Sequence, residues 1–225
     1  PKTSAPALAD AMELFRPYAE AGREIVCFSI SAGMSTSGNV MRLAAEELGA
    51  SDRIKVIDSA NLSTGIGLLV VEAAIMAKNN RTASQIVSEI EKLKPNVRAS
   101  FVVDTLTYLY RGGRCNAVAA MAGGVLKLHP RIVVEDGAMN ASKKYRGKIA
   151  SVVMNYVKDM EKDLKKARPE RVFITHSGCE QETVEKVRAY LKELDIFDEI
   201  LETRAGGVVS SHCGPGTLGV LYIAK

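Results

Sequence analysis

The sequence predicts an α/β protein of two domains: a parallel, doubly wound sheet first, then a second domain with a mixed sheet and packed helices. Two observations carry this. Apolar runs of strand length alternate with helix-length amphipathic segments over the first half of the chain, the pattern of a parallel sheet covered by helices. After Arg111-Gly-Gly-Arg114 that pattern breaks, and a hairpin signal mixes with crossover segments. The expected domains are therefore 1–112 and 113–225.

In order, Thr3-Ser4-Ala5-Pro6 opens a helix in which Thr3 or Ser4 is the expected cap and Leu8, Met12 and Phe15 share a face. Pro17 is expected to kink or end it. Glu24–Phe28 reads as a buried strand, followed by a Ser/Thr/Gly loop and a helix reaching Gly49. Ile54–Asp58 is the next strand and Ser63 to Lys78 a long helix. Thr82-Ala-Ser-Gln85 is a capping box, with Ile86, Ile90 and Leu93 on one face of the helix it opens. Ala99–Asp104 is strand-like, and Leu106 and Leu109 begin a short helix.

Beyond the break, Ala117–Gly124 is a helix of small residues. Strands are expected at Lys127–Val134 and near Ala138–Lys143, around the turn signal Glu135-Asp136-Gly137. One amphipathic helix spans Lys148 to Lys166, with Val152, Val153, Tyr156, Val157, Met160 and Leu164 turned inward. A strand at Arg171–Thr175, a helix at Thr183–Leu194, and strands at Ile200–Thr203 and Val220–Ala224 complete the chain.

With 225 residues, 47% of them hydrophobic, the chain is long enough for a substantial core. Its 30 basic and 26 acidic residues leave a net charge of +4, and the densest basic stretch, Lys162–Arg168, is interrupted by an acid. Nucleic-acid binding is not expected. Stable membrane insertion is not expected either, since no apolar run nears the ~18 residues a span needs. The four cysteines are scattered without a C-x-x-C pair, which suits reduced thiols and a cytoplasmic protein. His, Cys and Asp lack ligand spacing, so no metal is expected.

The stretch Ser29–Gly38 joins a strand's C-terminal end to a helix's N-terminus. Unpaired amides and the helix dipole make such a junction an anion cradle. Ser31, Ser35, Thr36 and Ser37 add hydroxyls, and Gly33 and Gly38 allow close approach. Asp58-Ser59 ends the next strand, also where ligands of parallel sheets bind. Among the histidines, His129 reads as structural, His176 ends a strand, and His212 precedes the tight turn Cys213-Gly-Pro-Gly216. A Cys213 nucleophile paired with His212 is disfavoured, because adjacent side chains rarely reach productive geometry.

Taken together, Thr3-Ser-Ala-Pro6, Ser31-Ala-Gly-Met-Ser-Thr-Ser37, Val56-Ile-Asp-Ser59, Leu109-Tyr-Arg-Gly-Gly-Arg114, Lys143-Lys-Tyr-Arg-Gly147 and His212-Cys-Gly-Pro-Gly216 with Leu218-Gly-Val220 resemble the motif blocks of the DegV family of bacterial fatty-acid-binding proteins. They run in order over the whole chain. The resemblance implies a two-domain DegV-like fold holding a long-chain fatty acid in an internal tunnel. It also implies a partner, a fatty-acid kinase that phosphorylates the presented carboxylate, and no cofactor. By the same resemblance Thr3, Ser4, Ser31, Ser35 and Thr36 bind the carboxylate. Arg114 and His212 face the kinase at the tunnel mouth, and Gly214 and Gly216 support the turn. Two departures stand out. The family loop reads Ser-Gly-Thr where this chain has Ser35-Thr36-Ser37, and the family's N-terminal segment, with a first strand ending Thr-Asp-Ser, is not present, so the first sheet is expected to lack a strand. The alternative, from another class, is an enzyme acting on a small carboxylated or phosphorylated substrate in the same cradle.

Overall fold

A computed structural model describes residues 2–113 and 128–225. It is a mixed α/β fold with two sheets, and its residues fall into two compact units. The first unit is Ser4–Pro95 with Asp136–Ala138; the second is Pro1–Thr3, Asn96–Glu135 and Met139–Lys225.

The first unit runs α1 (Leu8–Glu20), β1 (Ile25–Ser29), α2 (Ser37–Glu47), β2 (Ile54–Asp58), α3 (Thr64–Lys78) and α4 (Ala83–Leu93). β1 and β2 pair in parallel from Ile25↔Ile54 to Ser29↔Asp58, with α2 as the crossover. Ala11, Phe15 and Ala19 of α1 meet Ala44 and Ala45 of α2, and these small residues let the helices pack closely. α1 departs from expectation at both ends. Its N-cap is Ala7, with no side-chain cap, because Pro6 disfavours helical backbone before it and Thr3 bonds elsewhere. Pro17 lies inside the helix, which continues to Glu20. It forfeits the bond to the Glu13 carbonyl, but both residues are exposed, so water can take the place of the missing donor, and the Pro17 carbonyl still accepts from Ala21 N at 3.2 Å. The capping box forms as predicted: Thr82 accepts from Gln85 N, and the Gln85 side chain accepts from Thr82 N.

The second unit holds β3 (Val97–Val102), α5 (Thr107–Arg111), β4 (Leu128–Glu135), β5 (Ala138–Arg146), α6 (Ile149–Asp159), α7 (Glu161–Leu164), β6 (Ala167–Ser177), α8 (Gln181–Glu193), β7 (Glu199–Arg204), α9 (Gly207–Cys213) and β8 (Thr217–Ala224). Its sheet has the order β5-β4-β3-β8-β6-β7. β8 is antiparallel to β3 and β6, while β6 and β7 are parallel. The helix expected over Lys148–Lys166 divides at Met160, where i→i+3 bonds from Met160 N to Val157 O and from Asp163 N to Met160 O tighten the turn. The predicted inward residues remain buried on both pieces. Tyr156 is wholly buried, yet its hydroxyl donates to Ser100 O at 2.7 Å and accepts from Val220 N at 3.0 Å. The helix expected at Ala117–Gly124 lies outside the described residues.

The division expected at residue 112 falls instead between Pro95 and Asn96. The reason is hydrogen bonding: β3 looks like another crossover strand in sequence, but it pairs with β4 and β8 and so belongs to the second sheet.

Candidate functional site

Loop Ser31–Thr36 leaves the end of β1 and is held by several ties within the first unit. Ser31 N donates to Asn61 O at 2.9 Å, and Ser31 Oγ donates to Gly137 O at 2.6 Å while accepting from Gly33 N at 3.2 Å. Asp136 and Gly137 form a two-residue turn with φ of 50° and 75°, as an Asp-Gly hairpin favours. A Cβ on Gly33 would stand 3.0 Å from Gly137 O, so the bare backbone is what lets loop and turn meet. The single hydroxyl proton of Ser31 is thus directed at Gly137 O, and the side chain ties the loop to the turn.

Ser35, Thr36 and Ser37 stand at the N-terminus of α2, whose first turn has no acidic residue. Ser35 Oγ accepts from Ser37 N at 3.2 Å and lies 2.8 Å from Ser37 Oγ. Two hydroxyls sharing one bond keep one proton to donate elsewhere. Thr36 is exposed and makes no side-chain cap, and Ser4 is exposed too. From β2, Asp58 accepts from Ala60 N at 2.9 Å and from Ala32 N at 3.3 Å through each oxygen. Beyond it Ala60 and Ser63 both hold φ of 50°, costly backbone for residues with a Cβ.

In the second unit His212 lies in the last turn of α9, which Gly214 ends at φ 77°, and the expected turn follows at Pro215 and Gly216. A Cβ at Gly214 would come within 2.2 Å of the Tyr108 ring. His212 Nε2 lies 2.7 Å from Thr3 Oγ1, and Gly112 backs the ring so closely that a Cβ there would stand 2.0 Å from Nδ1. Thr3 and His212 therefore form a bonded pair, seated on a glycine of the Arg111-Gly-Gly stretch. Arg114 lies outside the described residues. His129 is buried and bonds Gly147 O through Nε2 at 2.9 Å, with Asp104 3.4 Å from Nδ1. His176 meets Glu202 at 3.3 Å, a carboxylate that Arg188 also holds. Burial pushes the Cys213 thiol up to about 12, the opposite of an activated nucleophile.

Sequence reasoning passed over the hold of Asp58 on Ala32, the support Gly112 gives His212, and Arg42, which bonds Asn39 at 3.0 Å on α2. An Asp at a strand end facing a loop was the available signal for the first. Among the described residues no His/Cys/Asp/Glu group is placed to hold a metal, and no helix is long and apolar enough to cross a membrane.

Known proteins resemble this chain in sequence and in fold. A DegV domain-containing protein of Deinococcus radiodurans is 31% identical over 221 residues, covering 98% of this chain and 77% of that protein. A fatty-acid-binding DegV family protein from Thermus thermophilus superposes with a TM-score of 0.90 at 26% identity, covering 100% of this chain and 79% of that one. A stearic-acid-binding protein from Eubacterium ventriosum gives a TM-score of 0.84 at 27% identity, covering 100% and 78%. The family described as "Uncharacterised protein, DegV family" matches residues 1–225 without a break. With sequence and fold in agreement from end to end, the chain belongs to the DegV family.

Proposed function

We propose that this chain binds a long-chain fatty acid, its tail in an internal tunnel, and presents the carboxylate to a partner fatty-acid kinase that forms the acyl phosphate. The observation that carries the reading is the Ser35/Ser37 pair with a proton to spare, set at a helix start without acidic residues, in a chain whose structural relatives bind fatty acids. Ser35 and Thr36 serve as carboxylate ligands, with Thr3, oriented by His212, assigned the same task. Neutral donors hold a carboxylate without a permanent ion pair, which leaves its oxygen free to attack a phosphoryl group. Arg114 and His212 are assigned to the kinase-facing mouth.

Energetics divide the work. Burying about fourteen methylenes at ~0.8 kcal/mol each yields on the order of 11 kcal/mol gross, whereas a hydrogen bond to a charged group nets about 1.5–3 kcal/mol. The tail sets affinity and the hydroxyls set orientation. Ser35→Ala is expected to weaken acyl binding by roughly 1–3 kcal/mol, about five- to 150-fold, without abolishing it. Lipid extraction and native mass spectrometry of freshly purified protein should find a bound fatty acid. Protein that arrives lipid-free and takes up neither oleate nor palmitate would refute the reading.

A further inference from the structure

We propose that Asp58 determines the head-group charge the serine loop accepts, favouring a monoanionic carboxylate over a dianionic phosphate. This rests on the head-group reading of the loop given above. In β–α junctions that bind phosphate, the ligand takes the loop's backbone amides. Here a carboxylate of the protein already holds one of them: both oxygens of Asp58 lie 3.3 Å from Ala32 N, and Oδ1 also accepts from Ala60 N at 2.9 Å. The residue ties the loop after β1 to the loop after β2, and it does so from beside Ser29, its partner in the strand register.

Two consequences follow from one side chain. With Ala32 N engaged, recognition shifts from amides to the hydroxyls of Ser35, Thr36 and Ser37, which suit a carboxylate. A fixed negative charge also stands in the same loop cluster, and its repulsion scales with ligand charge. A phosphate monoester carries about −1.5 to −2 near neutrality against −1 for a carboxylate. At a separation on the order of 8 Å that extra charge is expected to cost between about threefold and thirtyfold in affinity, depending on solvent access. For a carrier whose bound acid becomes an acyl phosphate, such a charge lowers affinity for the more highly charged head group. Asp58 acts here as a positioning and specificity-determining residue, not a catalytic one.

The test compares three probes with one tail on the full chain: dodecanoate, monododecyl phosphate and the monoanionic dodecyl methyl phosphate. The wild type should bind dodecanoate more tightly than the dianion, with the methyl diester escaping most of the penalty despite its larger head. Asp58→Asn should narrow the carboxylate-to-dianion ratio by about three- to thirtyfold, and Asp58→Glu should restore it. A ratio unchanged within about twofold in folded Asp58→Asn overturns the proposal. So does a wild type that discriminates as strongly against the diester as against the dianion, a result that needs no variant to fold. Wild-type protein that binds no probe refutes the carrier reading itself, and this inference with it.

Discussion

β1 is half-buried at four of its five positions, whereas β8 is buried at seven of eight. The difference follows from what surrounds each strand. β8 is bonded on both sides, to β3 and β6, and lies under Val152, Val153, Tyr156 and Val157 of α6. β1 has β2 as its partner among the described residues, and the core beside it is made largely of alanines. Stability concentrates where apolar burial is deep and ladders are complete, and low-stability regions are where loops rearrange around ligands. The serine loop springs from the strand with less support. Its geometry is kept by side-chain ties, chiefly from Ser31 and Asp58, in place of a deep core.

The largest test of that contrast is Tyr156→Ala. It removes a fully buried ring and strands Ser100 O and Val220 N without their partner, so unfolding free energy should fall by about 3–5 kcal/mol in urea titration. The contrast fails if the loss stays under about 1 kcal/mol. Ser31→Ala is the first unit's counterpart. Loss of the bond to Gly137 should cost about 1–2 kcal/mol, with faster hydrogen exchange confined to residues 31–38 and 136–138. Exchange that rises in β8 as well would show that the loop is no separate unit of stability.

The smallest expected effect is at the edge strand β5. Burial pushes the Asp159 carboxyl up, but the ammonium of Lys143 at 2.5 Å and the hydroxyl of Tyr145 at 2.7 Å outweigh it and hold Asp159 below the usual carboxylate range. A carboxyl lowered in the folded state contributes stability above its unfolded value and loses it as pH falls through its folded value. Asp159→Asn should therefore lower neutral-pH stability slightly and so flatten its fall on the acid side, with wild type and variant converging once Asp159 is protonated, as read from melting temperature against pH.

What the sequence disclosed depended on the distance over which each signal acts. β2 was readable to the residue, and so was the Thr82/Gln85 box, because apolar runs and caps are local. The cap expected from Thr3 or Ser4 does not form: α1 starts after Ala7, and the Thr3 hydroxyl bonds a histidine 209 residues away. The tie from Ser31 to a carbonyl 106 residues on is not legible in the sequence, because nothing local reveals it. The misplaced boundary has the same origin: β3 finds its partners in β4 and β8, and strand pairing leaves no mark on the strand itself. The junction from β1 through the serine loop to α2, by contrast, is legible as hydroxyls and glycines between a strand and a helix.

The contact of Gly112 with His212 gives the protein a built-in spectroscopic probe. A Cβ would stand 2.0 Å from Nδ1, so the glycine's own α-hydrogen on that side points at the imidazole edge. Its proton resonance lies within the ring's magnetic anisotropy and tracks the imidazole's orientation and charge. Glycine α-protons occupy a sparse region of a carbon-resolved spectrum, so the Thr3–His212 pair can be followed during a lipid titration without a label at either residue.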